Sequence, residues 1–286
     1  MECLVRDVVV HYEIHGEGTP ILMIHGWGPD RRLMTGCMEP VFAAMPGKWQ
    51  RIYFDLPGMG ETTGAPWIDG SDRMLDLVLG VVDTLIPGRR FLLAGESYGG
   101  YLARGILRQR PSLVDGLLLI CPVVDPATGS GTSPELRVLD RDEALLASLS
   151  EDDRAQFEGV NVVQTAPVWR RFRDEILCGL RAADQAFLGD VLGRHVPFTG
   201  DVDALDEPFA APTLMLTGRQ DSMVGYRDLW TILESYPRAS FVVLDRAGHN
   251  LQIEQDVLFD GLVREWLDRV EAYRRLTPPS SAAPGR

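Results

Sequence analysis

The stretch Phe91–Tyr101, FLLAGESYGGY, constrains this chain more than any other. The apolar run Phe91-Leu92-Leu93-Ala94 has the continuity of a short buried strand. It stops at Gly95-Glu96-Ser97-Tyr98-Gly99-Gly100, and a helical pattern follows in which Leu102, Ile106 and Leu107 share an apolar face. A strand that turns at once into a helix leaves one residue at the tip of a sharp bend. Small residues on both sides relieve the crowding, and Gly95 and Gly99 supply them. The bend lifts the Ser97 hydroxyl above the strand ends and aims the next helix N-terminus at it. Taken alone, G-x-S-x-G is also an ordinary turn pattern. The rest of the chain has to supply partners for the serine.

Read from the N-terminus, Val8, Val10, Tyr12 and Ile14 alternate with polar neighbours, the period of a half-buried antiparallel strand at a sheet edge. Short strand patterns, most of them strongly apolar, follow at Pro20–Ile24, Arg51–Asp55, Phe91–Ala94, Val114–Cys121, Thr213–Thr217 and Ser240–Leu244. Helical patterns lie between them. Leu33–Met45 is modest, and Asp72–Ile86 places Leu75, Leu79, Val82 and Ile86 on one face. Tyr226–Tyr236 precedes the last strand, and Leu251–Tyr273 reads as one long final helix with Leu258, Leu262 and Trp266 inward. Apolar strands alternating with amphipathic helices predict an α/β fold, a mostly parallel central sheet with helices on both faces. Ligand sites in such sheets lie at the carboxyl ends of the strands.

The alternation breaks between Asp125 and Glu207, where only short helical patterns occur, at Asp142–Leu149, Ala166–Leu180 and Ala182–Leu192. The expected division is therefore a core of residues 1–124 and 208–276, a helical cap over the strand ends at 125–207, and a disordered Pro/Ser/Ala-rich tail at 277–286. A chain of 286 residues with 45% hydrophobic content can bury a core of that size. Its net charge of −13 argues against nucleic acid or an anionic membrane surface as the main partner and reads as a well-solvated surface; the expected partner is a small-molecule substrate. Cys3, Cys37, Cys121 and Cys178 have neither zinc-ligand spacing nor a C-x-x-C pair, so no metal or other cofactor is expected. With reduced thiols, no signal-peptide pattern and no membrane-spanning run, the expected compartment is the cytoplasm.

A serine hydroxyl needs a base to remove its proton during attack, and a histidine oriented by a carboxylate is the usual one. Of five histidines, His11 and His15 share the polar face of the first strand, His195 lies in the cap, and His25 is tied to a turn. His249 follows the last strand beside a glycine and is the candidate base. Asp221, in the loop after Thr213–Thr217, is the candidate acid, with Asp125 as the fallback and Asp245 as a third choice. The backbone N–H groups of Trp27 and Tyr98 are placed to receive an oxyanion. His25, Gly26, Trp169 and Phe172 are candidates for the pocket wall, with Phe187 and Phe198 further aromatics that could reach it.

Five segments, His25-Gly26-Trp27-Gly28, Asp55-Leu56-Pro57-Gly58-Met59-Gly60, Gly95-Glu96-Ser97-Tyr98-Gly99-Gly100, Gly218-Arg219-Gln220-Asp221 and Gly248-His249, occur in an order that closely resembles the α/β-hydrolase superfamily. The resemblance runs from about Val8 to Tyr273, outside the cap. It implies a triad of Ser97, Asp221 and His249 under a cap. Within that superfamily, dehalogenases and epoxide hydrolases carry aspartate where this chain has Ser97, and Asp125–Glu207 contains none of the tyrosines an epoxide hydrolase uses. The single lysine, Lys48, lies far from the motifs, which counts against a hydroxynitrile lyase. The expectation is hydrolysis of an ester of a small or medium, largely apolar substrate through an acyl-enzyme. A proline-iminopeptidase-like amidase, with Glu143, Glu151, Glu158 or Glu175 holding an amine, is one alternative. Others are a lactonase, a carbon–carbon bond hydrolase and a ligand receptor on the same fold.

Overall fold

The computed structural model describes residues 1–45, 48–124, 126, 133–194 and 197–277, the side chains of 192–194 excepted. Asp125, His195 and residues 278–286 of the expected tail lie outside the described residues. Eight strands form the central sheet: β1 (Glu2–Val5), β2 (Val8–His15), β3 (Thr19–Ile24), β4 (Trp49–Phe54), β5 (Phe91–Glu96), β6 (Val114–Ile120), β9 (Thr213–Gly218) and β10 (Ala239–Leu244). They lie in the order β1-β2-β4-β3-β5-β6-β9-β10. The β1–β2 and β2–β4 pairs are antiparallel and the others parallel. This is the expected α/β-hydrolase architecture. One detail differs: β2 is not the edge, because Glu2–Val5 pairs outside it.

The continuous apolar runs have a simple cause. Successive strand side chains point to opposite faces, and both faces are covered. Leu22, Ile24, Leu93, Leu117, Leu119 and Met215 pack on one side against helices α2 (Ser71–Leu85) and α3 (Tyr98–Gln109). Ile21, Met23, Leu92, Leu118, Ile120, Leu214 and Leu216 pack on the other side, against α1 (Arg32–Ala43) and the C-terminal helix α11 (Asp256–Leu276). The final helix differs from expectation. Its first turn, α10 (Leu251–Glu254; α9, Tyr226–Thr231, precedes β10), is separate, and α11 buries Phe259, Val263, Trp266, Leu267 and Val270 while Leu258 is exposed. Trp266 Nε1 donates to the Pro212 carbonyl at 3.0 Å, which satisfies the indole in the core.

Between β6 and β9 the described elements are β7 (Asp140–Arg141), α4 (Glu143–Ser148), α5 (Glu151–Glu158), β8 (Val163–Gln164), α6 (Ala166–Arg171), a π-helical stretch (Phe172–Leu177), α7 (Cys178–Ala182) and α8 (Gln185–Arg194). Short β7 and β8 pair with each other and not with the main sheet. The insertion touches the core loops closely. A Cβ on Gly28 would stand 2.8 Å from Leu180, and one on Gly58 would stand 2.3 Å from Phe187. Arg104 of α3, wholly buried, pairs with Asp203 in the last part of the insertion and donates to the carbonyls of Val123 and Val124, fixing the course of the chain after β6. Among the described residues no helix is long and apolar enough to cross a membrane.

Candidate active site

Ser97 is the single residue between β5 and α3, with φ 51° and ψ −116°. That conformation is costly for a residue with a side chain, by about 1–3 kcal/mol, and the surroundings hold it there. The Ser97 N–H donates to Ile120 O at 2.9 Å, and its carbonyl accepts from the N–H groups of Gly100 and Val123, both at 3.0 Å. The flanking glycines are required by contact. A Cβ on Gly95 would stand 2.4 Å from the Gly99 carbonyl oxygen.

Two further loops reach the same point. After β9, Asp221 is fully buried, and its Oδ1 accepts from the N–H groups of Met223 (2.9 Å) and Val224 (3.0 Å). That leaves Oδ2 for His249 Nδ1, 3.0 Å away. His249 follows β10, and the N–H of Gly248 before it donates to Glu254 Oε2 at 2.6 Å. The other ring nitrogen, Nε2, lies 3.4 Å from Glu96 Oε1. Burial opposes charge on the ring, but the charge and hydrogen bond of Asp221, with Glu96 and Glu254, outweigh it and push His249 up to about 9. Burial pushes Glu96 up to about 7, against the pull of His249.

The loop after β3 completes the arrangement. A Cβ on Gly26 would stand 2.2 Å from Glu96 Oε2 and 3.1 Å from Ser97 Cβ, so only glycine allows this loop past the serine. The Trp27 and Tyr98 rings meet edge to face at 4.9 Å, and the Tyr98 hydroxyl bonds to Ser71 Oγ at 2.8 Å. A cavity of about 650 Å³ opens over Ser97 and His249. Core residues Trp27, Leu33, Tyr98 and Val224 form part of its wall, and Val160, Phe172, Ile176 and Leu180 of the insertion form much of the rest. Its carboxyl groups are Glu96 and Asp228, and no arginine or lysine is among its described lining residues. Ser97 and His249 thus line one largely apolar chamber together.

Residues 21–262 match the family model described as the alpha/beta hydrolase family. The chain belongs to the alpha/beta hydrolase family. Among solved structures, an alpha/beta superfamily hydrolase from Oenococcus oeni superposes with a TM-score of 0.84 at 30% identity, covering 95% of this chain and 99% of that one. Among curated proteins, a pimeloyl-acyl-carrier-protein methyl ester esterase of Legionella pneumophila is 25% identical over 90% of this chain and 99% of its own length. A 2-hydroxy-6-oxononadienedioate/2-hydroxy-6-oxononatrienedioate hydrolase of Burkholderia vietnamiensis is 28% identical over 92% of each. The relatives place this alpha/beta hydrolase among hydrolases.

The structure of this alpha/beta hydrolase brings Ser97, Asp221, His249, Trp27, Tyr98 and Phe172 to one cavity or its immediate support. It does not bring His25, Gly26 or Trp169 to the cavity wall. His25 is fully buried: its Nε2 accepts from the Leu56 N–H at 3.0 Å, and its Nδ1 lies 2.8 Å from the Gly26 carbonyl, so it ties two loops together. Trp169 packs on Phe157, with ring centroids 5.2 Å apart. Phe187 covers Gly58, and Phe198 lies over Tyr101 at 4.3 Å. Asp245 is exposed. Two residues of this alpha/beta hydrolase site were not singled out from the sequence. Glu96 occupies the free position of G-x-S-x-G. Glu254 lies five residues beyond His249 and receives the N–H groups of Gly248, Val162 and Val163. Cys121 Sγ lies with ligand atoms of Asp221 and His249 inside 4.8 Å. Asp221 and His249 are already hydrogen-bonded to each other, and burial pushes the Cys121 thiol well up, so the trio suits a hydrogen-bonded cluster better than a metal ligand set.

Proposed function

We propose that this alpha/beta hydrolase is a serine esterase for a small or medium, largely apolar substrate. The observation that carries the reading is the shared chamber: an apolar cavity of about 650 Å³ lined by both Ser97 and His249. In the proposed cycle, Ser97 Oγ attacks the acyl carbon while His249 Nε2 takes the hydroxyl proton. Asp221 holds the Nδ1–H tautomer and balances the imidazolium. The carbonyl oxygen, now an anion, accepts from the N–H groups of Trp27 and Tyr98, and losing one such donor would cost about 3–4 kcal/mol in the transition state. Collapse expels the alcohol, which takes the proton from Nε2. Water then repeats the sequence on the acyl-enzyme and releases the acid.

The methyl ester esterase relatives favour ester chemistry. The dienedioate hydrolase relative suggests carbon–carbon cleavage. An anionic dioate would want a cation in the chamber, and none of its described lining residues is arginine or lysine. Glu143, Glu151, Glu158 and Glu175, the candidate amine anchors, do not line the chamber either, and Glu158 and Glu175 pair with arginines. A p-nitrophenyl ester series together with fluorophosphonate labelling tests the reading. The wild type is expected to turn over short esters and to label at Ser97, and Ser97→Ala to lose labelling and about 10⁶ in kcat. A wild type that neither turns over esters nor takes the label sinks the proposal and favours a ligand receptor.

A further inference from the structure

His249 has a carboxyl group on each side of its ring. Asp221 Oδ2 lies 3.0 Å from Nδ1, and Glu96 Oε1 lies 3.4 Å from Nε2. The first contact is the one a base-orienting acid makes. The second meets the nitrogen that has to take the proton from Ser97 and pass it on. Glu96 ends β5 and immediately precedes Ser97, so the strand fixes its position. Its side chain is 2% exposed and lines the cavity. The N–H of Gly26 donates to the carboxylate, which lies so close to that loop that a Cβ on Gly26 would stand 2.2 Å from Oε2.

The charges around this pair are few. Asp221 faces the ring from the loop after β9, and Glu254 stands behind it on α10, bonded to Gly248. The buried Cys121 thiol lies at the end of β6, and Asp228 lies on the cavity wall. Among the described lining residues, His249 is the only group that can become a cation.

Resting on the serine-hydrolase reading, we propose that Glu96 is a positioning residue for the base: it faces Nε2 as Asp221 faces Nδ1, and it sets the pH above which the ring can take the Ser97 proton. While the ring is an imidazolium held between two carboxylates, no atom is free to accept from Oγ. Loss of the Nε2 proton to solvent frees that nitrogen for Ser97. During attack the proton moves from Oγ to Nε2, where Glu96 stabilises the cation, and it then leaves with the departing alcohol. An opposite charge at this range shifts a titration by about one to three units. Glu96→Gln keeps the shape and removes the charge, so the ring is expected to release its proton at lower pH.

The test reads His249 directly. Imidazole signals are followed by NMR across pH in Ser97→Ala and in Ser97→Ala/Glu96→Gln, with His249→Asn assigning the resonance. With Glu96 present the ring is expected to titrate well above the ordinary histidine range, and the glutamine variant to lower the midpoint by about one unit or more. An unchanged midpoint overturns the proposal. So does a midpoint at or below about 6.5 with Glu96 present, a criterion that stands even if the glutamine variant does not fold. A purely structural role for Glu96 would lower stability without moving the midpoint. The measurement needs no turnover, so it is independent of the ester assay. In that assay the acid limb of kcat/KM for p-nitrophenyl butyrate is expected to move down with the NMR midpoint in Glu96→Gln, with fluorophosphonate labelling retained. A limb that stays put while the enzyme still labels contradicts the proposal.

Discussion

The backbone of Gly99 lies against the carbonyl of Ile24, where a Cβ on Gly99 would stand 2.2 Å from the oxygen. The first turn of α3 therefore touches the end of β3, and the bend that carries Ser97 is set against the loop that carries Trp27. Gly99→Ala has to force the two apart. Overpacking of this kind costs about 1–3 kcal/mol. The expected result is a lower Tm together with reduced ester turnover, since the serine and the Trp27 loop move relative to each other. Wild-type values of both in thermal unfolding and initial-rate measurements would contradict the contact.

Asp221 is fixed by Met223 and Val224 before it meets His249. Asp221→Asn keeps much of this shape, but its amide can present an N–H to Nδ1 and favour the wrong tautomer. A fall in kcat of about 10⁴ is expected from such an exchange, with little change in Tm. Asp125→Asn made in parallel is expected to be mild. Steady-state kinetics of the two variants on one ester distinguish them, and the reverse pattern would assign the acid to Asp125.

Val160 lines the chamber from the insertion. Val160→Phe fills space that a longer acyl chain would use, while leaving Ser97 and His249 untouched. One methylene of poor fit is worth about 1–3 kcal/mol in kcat/KM. Acetate and propionate esters are expected to survive the change, and the preference along a chain-length series to shift toward them. A uniform loss across the series would mean that Val160 does not shape the acyl site.

Burial pushes Glu254 up from 4.5 to about 7, although it accepts N–H groups from Gly248, Val162 and Val163. The folded protein then holds a proton that the unfolded chain would release. The resulting stabilisation is full below about pH 4.5 and is lost as pH rises through about 7. Glu96 contributes in the same direction. The Tm is therefore expected to fall across that window, by about 2–4 °C for each kcal/mol lost. Glu254→Gln cannot ionise and is expected to flatten part of the slope. An identical slope in scanning calorimetry would remove Glu254 from the account.

The sheet was legible because both its faces are covered, so strands such as Leu92-Leu93-Ala94 had to be apolar throughout. The elbow was legible because its glycines are demanded by atoms less than 3 Å away. Strand β1 was not, since Glu2–Val5 pairs on one side only and buries little beyond Val5. The final helix was misread only at its start: Trp266 is buried and Leu262 packs on the core as expected, while Phe259 turns inward and Leu258 lies outside. Which aromatic of the insertion reaches the chamber was also hidden. The π-helical stretch from Phe172 to Leu177 departs from the 3.6-residue repeat, so periodicity could not separate Phe172 from Trp169. Glu96 was invisible for a different reason, because it fills a motif position open to any residue.

One side chain, Glu254, gathers the backbone of the histidine loop at Gly248 and the backbone of the insertion at Val162 and Val163. The insertion and the core are thus not interchangeable modules. Replacing residues 160–164 with a segment of different backbone course would move two of the three N–H donors away from a buried carboxyl and slacken the loop that carries His249. A chimera meant only to alter the chamber would also disturb the placement of His249, and would need a matching change at position 254.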